Sequence, residues 1–144
     1  MKSTEHQGII FEKIIFEKID LELNREHKKE GKISVDVSFK VSRHLDESKG
    51  SLEVNLEVSL FEKSENPPMK LSILSTGYFS VKEEDKKAVL KEFAEIHALA
   101  MMLPFVRETI ASLTVKAGFP PLLLPPLNIY ALISGTKTKE KNVN

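Results

Sequence analysis

The side chains that could carry acid–base or metal chemistry are scattered along the sequence. The four histidines are His6, His27, His44 and His97, and the first three fall in a terminal segment or in charged turns. His97 lies in a helical stretch with Glu95 two residues before it, and residues two apart do not share a helical face. The sequence contains no glycine-rich phosphate loop and no G-x-S-x-G nucleophile motif. We therefore predict a protein that is not an enzyme, with no catalytic residues, no metal site and no cofactor.

The composition argues against several kinds of partner. The chain has 21 basic and 21 acidic residues, whereas nucleic acids and anionic membranes select a basic surface. It has no cysteine, which excludes disulfide bonds and thiolate metal sites. The polar start Met1–Gln7 is unlike a secretory signal, and no uninterrupted apolar run approaches the roughly 20 residues of a membrane span. We expect a cytoplasmic protein that binds no nucleic acid and has no membrane span.

The segment Phe119–Leu127 is the most informative part of the sequence. It contains four prolines and five large apolar residues. The prolines exclude helix and hold the backbone extended at low entropic cost. Two interpretations follow from this pattern alone. The leucines either cover the sheet as an ordinary loop, or they form the partly exposed wall of an apolar groove that binds other chains.

Four predicted strands would support this segment. They cover Ile9–Leu23, Ile33–Val41, Leu52–Leu60 and Met69–Val81, and the second and third alternate apolar with polar residues. Short polar turns separate them, which favours an antiparallel sheet with one apolar face. Gly77 in the fourth strand is a candidate for a bulge or a bend.

The first predicted strand is apolar on both faces. It begins with two copies of Ile-Ile-Phe-Glu-Lys, too short to indicate a repeat architecture. Strict alternation puts the odd-numbered Ile9, Phe11, Ile15, Ile19, Leu21 and Leu23 on one face. It puts Ile10, Ile14 and Phe16 on the other. This pattern predicts burial on both sides or a contact with another protein.

A helical pattern follows from about residue 84 to residue 117 and ends at Gly118, a typical residue after a helix. Pro104 lies inside it and predicts a kink or a break nearby. One apolar stripe faces the sheet, and a second, flatter face includes Met101, Phe105 and Ser112. A helix that is apolar on two sides packs between two partners, here the sheet and a second subunit.

A short last helix is predicted over Leu127–Ile133, with Asn128 as a cap and Gly135 at its end. The remaining residues, 136–144, form a polar tail that we expect to be flexible. The sequence therefore predicts a single domain over residues 1–135 followed by this tail.

Three stretches of the sequence resemble the SecB family of export chaperones. Met102–Ile110 is similar to the family's helix motif, in which an aromatic residue follows proline and Arg-Glu comes two residues later. Phe119-Pro120, Leu122, Leu124, Pro126-Leu127-Asn128 and Ala131-Leu132 continue the resemblance at the family's spacing. Gly77-Tyr78-Phe79 resembles the family's glycine-aliphatic-phenylalanine turn. The close match covers Met102–Ile133.

The resemblance implies an α+β fold, in which a four-stranded antiparallel sheet carries a long kinked or broken helix on one face and a short C-terminal helix. It implies an ATP-independent holdase, assembled as a homotetramer that is a dimer of dimers. Unfolded or secretory polypeptides would lie along apolar grooves. The implied client-binding residues are Phe119, Leu122, Leu124, Ile129, Tyr130, Ile133 and Tyr78. The implied oligomer interface comprises Met101, Phe105, Thr109 and Ser112.

The partner that would receive the clients has two candidates. The resemblance implies delivery to the translocation ATPase SecA through acidic residues on the outer surface of the sheet. The fourth predicted strand carries no acid over Met69–Leu74 and does carry Lys70. This difference favours an alternative, an adaptor on the same scaffold that serves one partner such as an antitoxin.

Overall fold

The computed structural model describes residues 5–6, 8–27, 33–82, 87–93, 96–124 and 138–142. The described strands form one antiparallel sheet in the order β1-β2-β5-β4-β3-β6, and the helices α1 and α2 follow β5. The four long strands confirm the predicted sheet. The element bounds are β1 Glu5–His6, β2 Ile9–Leu23, β3 Ser34–Asp46, β4 Ser51–Leu60, β5 Met69–Val81, α1 Lys87–Phe93, α2 His97–Lys116 and β6 Thr138–Asn142.

The core lies between the helices and one face of the sheet, here called the inner face. Strand β4 alternates buried with half-buried residues along its whole length, as its sequence predicts. Helix α2 contributes seven buried residues, so the predicted apolar stripe does face the sheet. Phe79 on β5 stacks on Phe11 at 4.8 Å between ring centroids and meets Phe93 of α1 edge-on at 5.1 Å. These rings join the helical layer to the sheet.

Gly77 marks a close approach between the sheet and α2. A Cβ added at this glycine would lie 2.8 Å from the Met102 sulfur and 3.1 Å from Cε2 of Phe79. Gly77 pairs with Ile14 on β2 and Val54 on β4 without a register shift in β5. The glycine therefore serves helix packing, and the bulges lie in the neighbouring strand.

Strand β2 contains two β-bulges, one in each copy of its five-residue repeat. Phe11 pairs with Phe79 and Lys13 with Tyr78, which leaves Glu12 as the extra residue. Glu17 is the extra residue of the second bulge in the same way. Each copy has five residues, of which one is unpaired, so a copy advances four positions along the ladder with β5. Four is an even number, and residues an even number of positions apart share a face. Both copies therefore present the same residue types to the same face.

The bulges overturn the predicted faces of β2. Ile14 pairs with Gly77 and Phe16 pairs with Ser75. The side chains of Ile14 and Phe16 both pack against the core. Ile15 lies on the opposite, outer face and is 38% exposed. The assignment of these three side chains by strict alternation was wrong, because alternation is interrupted wherever a strand gains an unpaired residue.

Helix α2 runs through Pro104 without interruption, so of the predicted kink or break, the break does not occur at this proline. Helix α2 begins at His97, directly after Ile96, and the described helix before it, α1, ends at Phe93. Pro104 and Ala100, whose carbonyl loses its intrahelical donor, are both exposed. Water can therefore satisfy that carbonyl, and the proline costs the helix little more than one hydrogen bond.

By length and composition alone α2 could cross a membrane, with a mean hydropathy of 1.4. Its packing accounts for part of that value, because the buried stripe of this helix covers the inner face of the sheet. The buried residues are Ala98, Leu99, Met102, Leu103, Val106, Ile110 and Thr114. Buried residues make up 39% of the apolar window, so α2 combines a core face with a partly exposed apolar side.

At one end of the sheet, hydrogen bonds hold the long turn after β4. Asp36 on β3 is buried and its carboxylate accepts bonds from the amide of Lys63 at 2.9 Å and the hydroxyl of Ser64 at 2.6 Å. Asn24 on the other side donates from its side chain to the carbonyl of Pro67 at 2.9 Å. Phe61 has a φ of 62° and starts the turn with its ring buried. These bonds satisfy backbone groups that the turn removes from the ladder.

The polar tail supplies a strand. β6 lies antiparallel beside β3, with Ser34 opposite Asn142 and Ser38 opposite Thr138. Composition alone predicted flexibility here because the segment is mostly polar, and a strand can still form where a sheet edge offers unpaired backbone groups. The predicted last helix, Leu127–Ile133, lies outside the described residues.

Candidate functional site

The end of α2 sets the direction of the proline-rich segment. Gly118 has a φ of 90°, a conformation that glycine adopts without steric cost. The amide of Gly118 donates to the carbonyl of Val115 at 3.0 Å, and the amide of Phe119 donates to that of Thr114 at 3.0 Å. This pair of bonds is a Schellman motif, and it confirms the predicted helix stop. The chain reverses and runs back over the end of the sheet.

Thr114 holds the reversed segment against the helix. Its hydroxyl donates to the carbonyl of Ala111 at 2.9 Å and accepts the amide of Leu122 at 2.9 Å. Pro120 and Pro121 have no amide hydrogen, so Leu122 is the first residue after Phe119 that can donate. Thr114 is 1% exposed. Without its hydroxyl the amide of Leu122 would have no acceptor, which would cost folding free energy.

An apolar groove of about 170 Å³ lies between the reversed segment and the end of the sheet. One wall comprises Thr114, Phe119, Pro120, Pro121 and Leu122, and the other comprises Ile33, Val35, Phe61, Pro68 and Met69. The volume is well below the roughly 300–1,000 Å³ of small-molecule sites. It is suited to an apolar side chain of another polypeptide.

The structure places the predicted client-binding residues in three different situations. Phe119 and Leu122 line the groove, and their contact with clients stays a prediction. Leu124 is 1% exposed and packs in the core, so it anchors the segment. Ile129, Tyr130 and Ile133 lie outside the described residues. Leu123 was not among the predicted client-binding residues. It is 67% exposed and lies next to Leu122, but within a run of leucines the sequence alone does not show which side chains are exposed.

Tyr78 is separated from the groove by the sheet. It pairs with Lys13 and Glu53, on the outer face, and the Lys13 ammonium lies 5.0 Å from its ring centroid. Desolvation, with smaller contributions from the Glu53 and Glu17 carboxylates, raises the pKa of the Tyr78 hydroxyl above its usual 10.0. The family resemblance implied a client-binding role for Tyr78 together with Phe119 and Leu122, but Tyr78 lies on the opposite face of the sheet from the groove.

The predicted oligomer-interface residues lie along one side of α2. Phe105 is 48% exposed and meets Phe11 of β2 edge-on at 6.0 Å. Met101, Thr109 and Ser112 are half-buried, and their spacing places them near the Phe105 side of the helix. This side borders the inner face of β2, where Ile19 is 47% exposed. The two elements together expose apolar surface at one edge of the inner face.

The outer face carries acidic residues that come from β2 and are therefore absent from the sequence of the fourth predicted strand. Asp20 pairs with Ser72 and Glu22 with Lys70, so β2 brings two carboxylates beside β5. A depression of about 350 Å³ on this face is lined by these two carboxylates and by further acidic and basic side chains. Its charged residues are Asp20, Glu22, Lys40, Glu57, Glu62 and Lys70. Strand pairing, not the sequence of one strand, determines this surface.

A polar row crosses the middle of the same face. Thr76 is fully buried, and its hydroxyl oxygen lies 2.7 Å from both Glu17 Oε2 and Asn55 Oδ1. The Asn55 amide is in turn 3.2 Å from the Ser42 hydroxyl. Four strands are thus linked side chain to side chain across the outer face, which stabilises the sheet.

No cluster suited to metal chemistry occurs among the residues that the structure describes. Within that part of the chain, no three His, Asp or Glu side chains are placed to hold a metal ion. His27 makes a structural contact, with Nδ1 2.9 Å from the carbonyl of Asn66.

Known proteins resemble the chain over most of its length. The family model for the preprotein translocase subunit SecB matches residues 6–140. A protein-export protein SecB of Acidithiobacillus ferrooxidans is 31% identical over 76% of this chain and 74% of its own length. A protein-export protein SecB of Anaplasma marginale is 38% identical over 64% of this chain, and the match covers 55% of that relative's own length. An uncharacterised protein of Methanocaldococcus jannaschii is 29% identical over 99% of the chain and 94% of its own length.

A solved structure shares the fold. It is a SecB-like chaperone of Mycobacterium tuberculosis in complex with a peptide from the HigA1 antitoxin. The two chains superpose with a TM-score of 0.67 at 18% identity, over 84% of this chain and 91% of the other. The family match over residues 6–140 and this common fold lead to one conclusion: the chain belongs to the SecB family of chaperones.

Proposed function

We propose that this protein is an ATP-independent holdase that binds unfolded polypeptides, with the groove beside Phe119 and Leu122 as its contact site. The observation that carries the proposal is an apolar groove with one wall held in place by prolines and by the part-buried hydrogen bond from the Leu122 amide to the Thr114 hydroxyl. A rigid wall loses little entropy on binding, so apolar contact is converted efficiently into affinity. Leu123 extends the contact outside the groove, and no cofactor or catalytic step is required.

The test is the aggregation of a reduced, unfolded model protein without nucleotide. The wild-type chain should suppress light scattering at a stoichiometric ratio, and Leu123→Lys should weaken suppression several-fold without lowering Tm. Ile15→Lys is the matched control, because Ile15 is also an exposed apolar residue but lies on the outer face. No suppression at several-fold excess of wild type would exclude the holdase.

The proposal includes a homotetramer. Strand β1 pairs with β2 only at Ile9 and Ile10, so the outer edge of β2 beyond them carries no neighbour among the described residues. The exposed Phe105 and Ile19 lie beside that edge, and apolar side chains with free backbone groups favour association. The native mass should be about four times 16.3 kDa. Phe105→Glu should produce smaller species if this surface is an interface.

A second candidate is a cytoplasmic adaptor that serves one partner. The M. tuberculosis structure of the same fold holds an antitoxin peptide, which favours a dedicated protein partner as an alternative. A pull-down from the source cell distinguishes the two. A single stoichiometric partner, with no affinity for generic unfolded chains, would replace the general holdase by the adaptor.

Delivery to SecA is a separate part of the proposal, supported by the acids of β2. Asp20 and Glu22 lie beside β5 on the outer face, where family resemblance implies a SecA contact. Purified SecA should bind the wild-type chain, and Asp20→Asn with Glu22→Gln should weaken binding at low salt. Client binding should be unchanged in this variant, since the sheet separates the two surfaces. Absence of SecA binding to wild type would leave the adaptor as the better interpretation.

A further inference from the structure

The C-terminal strand β6 covers a sheet edge that adjoins the groove. It pairs with the start of β3, where Val35 is opposite Lys141 and Val37 is opposite Lys139. Val35 also lines the groove, together with Ile33 just before the strand. The edge of β3 and the groove therefore form one continuous surface, and β6 occupies the edge part of it.

The composition of β6 makes it a weak occupant. Its sequence is Thr-Lys-Glu-Lys-Asn, which contains no apolar residue. Such a strand gains backbone hydrogen bonds from β3 and no burial of apolar side chains, and burial supplies most of the stability of packed elements. The residues opposite it in β3 include Val35 and Val37, each 3% exposed. A strand with apolar residues would suit this edge better than β6 does.

We propose that the Ser34–Ser38 edge of β3 is a strand-addition site for extended polypeptide clients, and that β6 is its displaceable cover. A client strand would make the same ladder with β3 and would also place alternate apolar side chains in the groove. The proposal rests on the holdase function and deepens it, because it assigns the backbone contact and a regulating segment. Clients must then compete with the protein's own C-terminal segment, which favours long unfolded chains over folded surfaces.

Removal of the cover is the direct test. The probe is a fluorescent peptide of alternating valine and threonine, and the protein is truncated after Thr136. If β6 leaves the edge open about a tenth of the time, truncation tightens the apparent Kd about tenfold. Lys139→Pro with Glu140→Pro in the full chain should have the same effect, because two successive prolines remove a ladder donor whichever amide faces β3. An unchanged or weaker Kd in both proteins overturns the proposal.

The peptide backbone provides the second test. The same peptide, N-methylated at alternate residues to remove one row of amide donors, keeps its side chains and loses the ladder. It should bind the truncated protein at least tenfold more weakly than the parent peptide. Equal binding of the two peptides would show that groove contacts alone hold the client, and strand addition would be excluded.

A tighter cover is the third test. Lys139→Val with Lys141→Val places apolar residues opposite Val37 and Val35 and should weaken peptide binding several-fold. The matched control is Lys137→Val with Asn144→Val, two positions outside β6, which should bind like wild type. Equal weakening by both pairs would contradict the proposal. If neither wild type nor the truncated protein binds reduced, unfolded protein, the holdase itself fails; if both bind it equally, only the cover fails.

Discussion

The hydroxyl of Thr114 accepts the backbone amide of Leu122 at 2.9 Å, across eight residues of chain that include two prolines. This bond joins the last turn of α2 to the groove wall. Because the hydroxyl also donates to the carbonyl of Ala111, its orientation is set by the helix. The wall is therefore aligned by the fold before any client arrives.

Thr114→Val should show whether client binding depends on the hydrogen bond that positions the groove wall, because it removes that bond and leaves Phe119, Pro120, Pro121 and Leu122 unchanged. The substitution keeps the branched shape and leaves the Leu122 amide without a partner, at a cost of about 1–3 kcal/mol in unfolding free energy. Client affinity should fall as the wall loosens. Thr109→Val is the control, because the Thr109 hydroxyl donates to the Phe105 carbonyl of its own helix. Denaturant unfolding and peptide titration of both variants check this, and equal losses would contradict it.

Gly77→Ala should destabilise the fold by overpacking. The added methyl group would lie 2.8 Å from the sulfur of Met102, a fully buried side chain. We expect a loss of about 1–3 kcal/mol in unfolding free energy. In a Met102→Ala background the cost of Gly77→Ala should shrink, because the removed side chain leaves room for the methyl group. Additive losses in this double-mutant cycle would exclude the steric explanation.

Tyr78 should titrate above pH 10.0. Desolvation, followed by the Glu53 and Glu17 carboxylates, raises its pKa in the folded protein. The neutral hydroxyl thus stabilises the fold below pH 10.0, and this contribution is lost as pH rises through the folded-state pKa. Tyrosinate absorbance in a Tyr130→Phe background gives the midpoint, since the chain has two tyrosines. Glu53→Gln should lower that midpoint, and an unchanged midpoint would exclude the electrostatic contribution.

Asp36 should be needed for the turn after β4. Asp36→Ala removes the acceptor of the Lys63 amide and the Ser64 hydroxyl and should cost about 1–3 kcal/mol in unfolding free energy. Asp36→Asn retains one acceptor oxygen and should cost less. Ser64→Ala tests the hydroxyl alone. Thermal unfolding of the three variants should follow this order, and an Asp36→Asn loss as large as that of Asp36→Ala would contradict it.

The long strands and the helix stop at Gly118 were predictable because each depends on local sequence. Alternation in β4 is set by burial of one face, and the glycine after α2 is set by a positive φ. The bulges at Glu12 and Glu17 were not predictable by alternation, since an unpaired residue is defined only by the partner strand. The repeat itself was the available signal, because an odd period cannot keep one face without an extra residue.

The site was predictable in part for the same reason. Phe119 and Leu122 lie at the groove, which is one of the two interpretations that the proline-rich pattern left open and the one that the family resemblance favours. The roles of Leu123 and Leu124 depend on which side of a loop faces the core, and no periodicity encodes that. The position of β6 depends on an open edge far away in sequence. Pro104 was misleading because a helix tolerates proline where the freed carbonyl reaches water.

The bulged repeat of β2 limits how this strand can change its length. An insertion or deletion of one residue within Ile9–Lys18 that neither adds nor removes a bulge would reverse which side chains face α2 from that point onward. Gain or loss of one complete Ile-Ile-Phe-Glu-Lys copy, with its own bulge, would leave every remaining side chain on its present face. An in-frame duplication of five codons is therefore a mutation that lengthens this strand without moving any residue already there to the opposite face of the sheet.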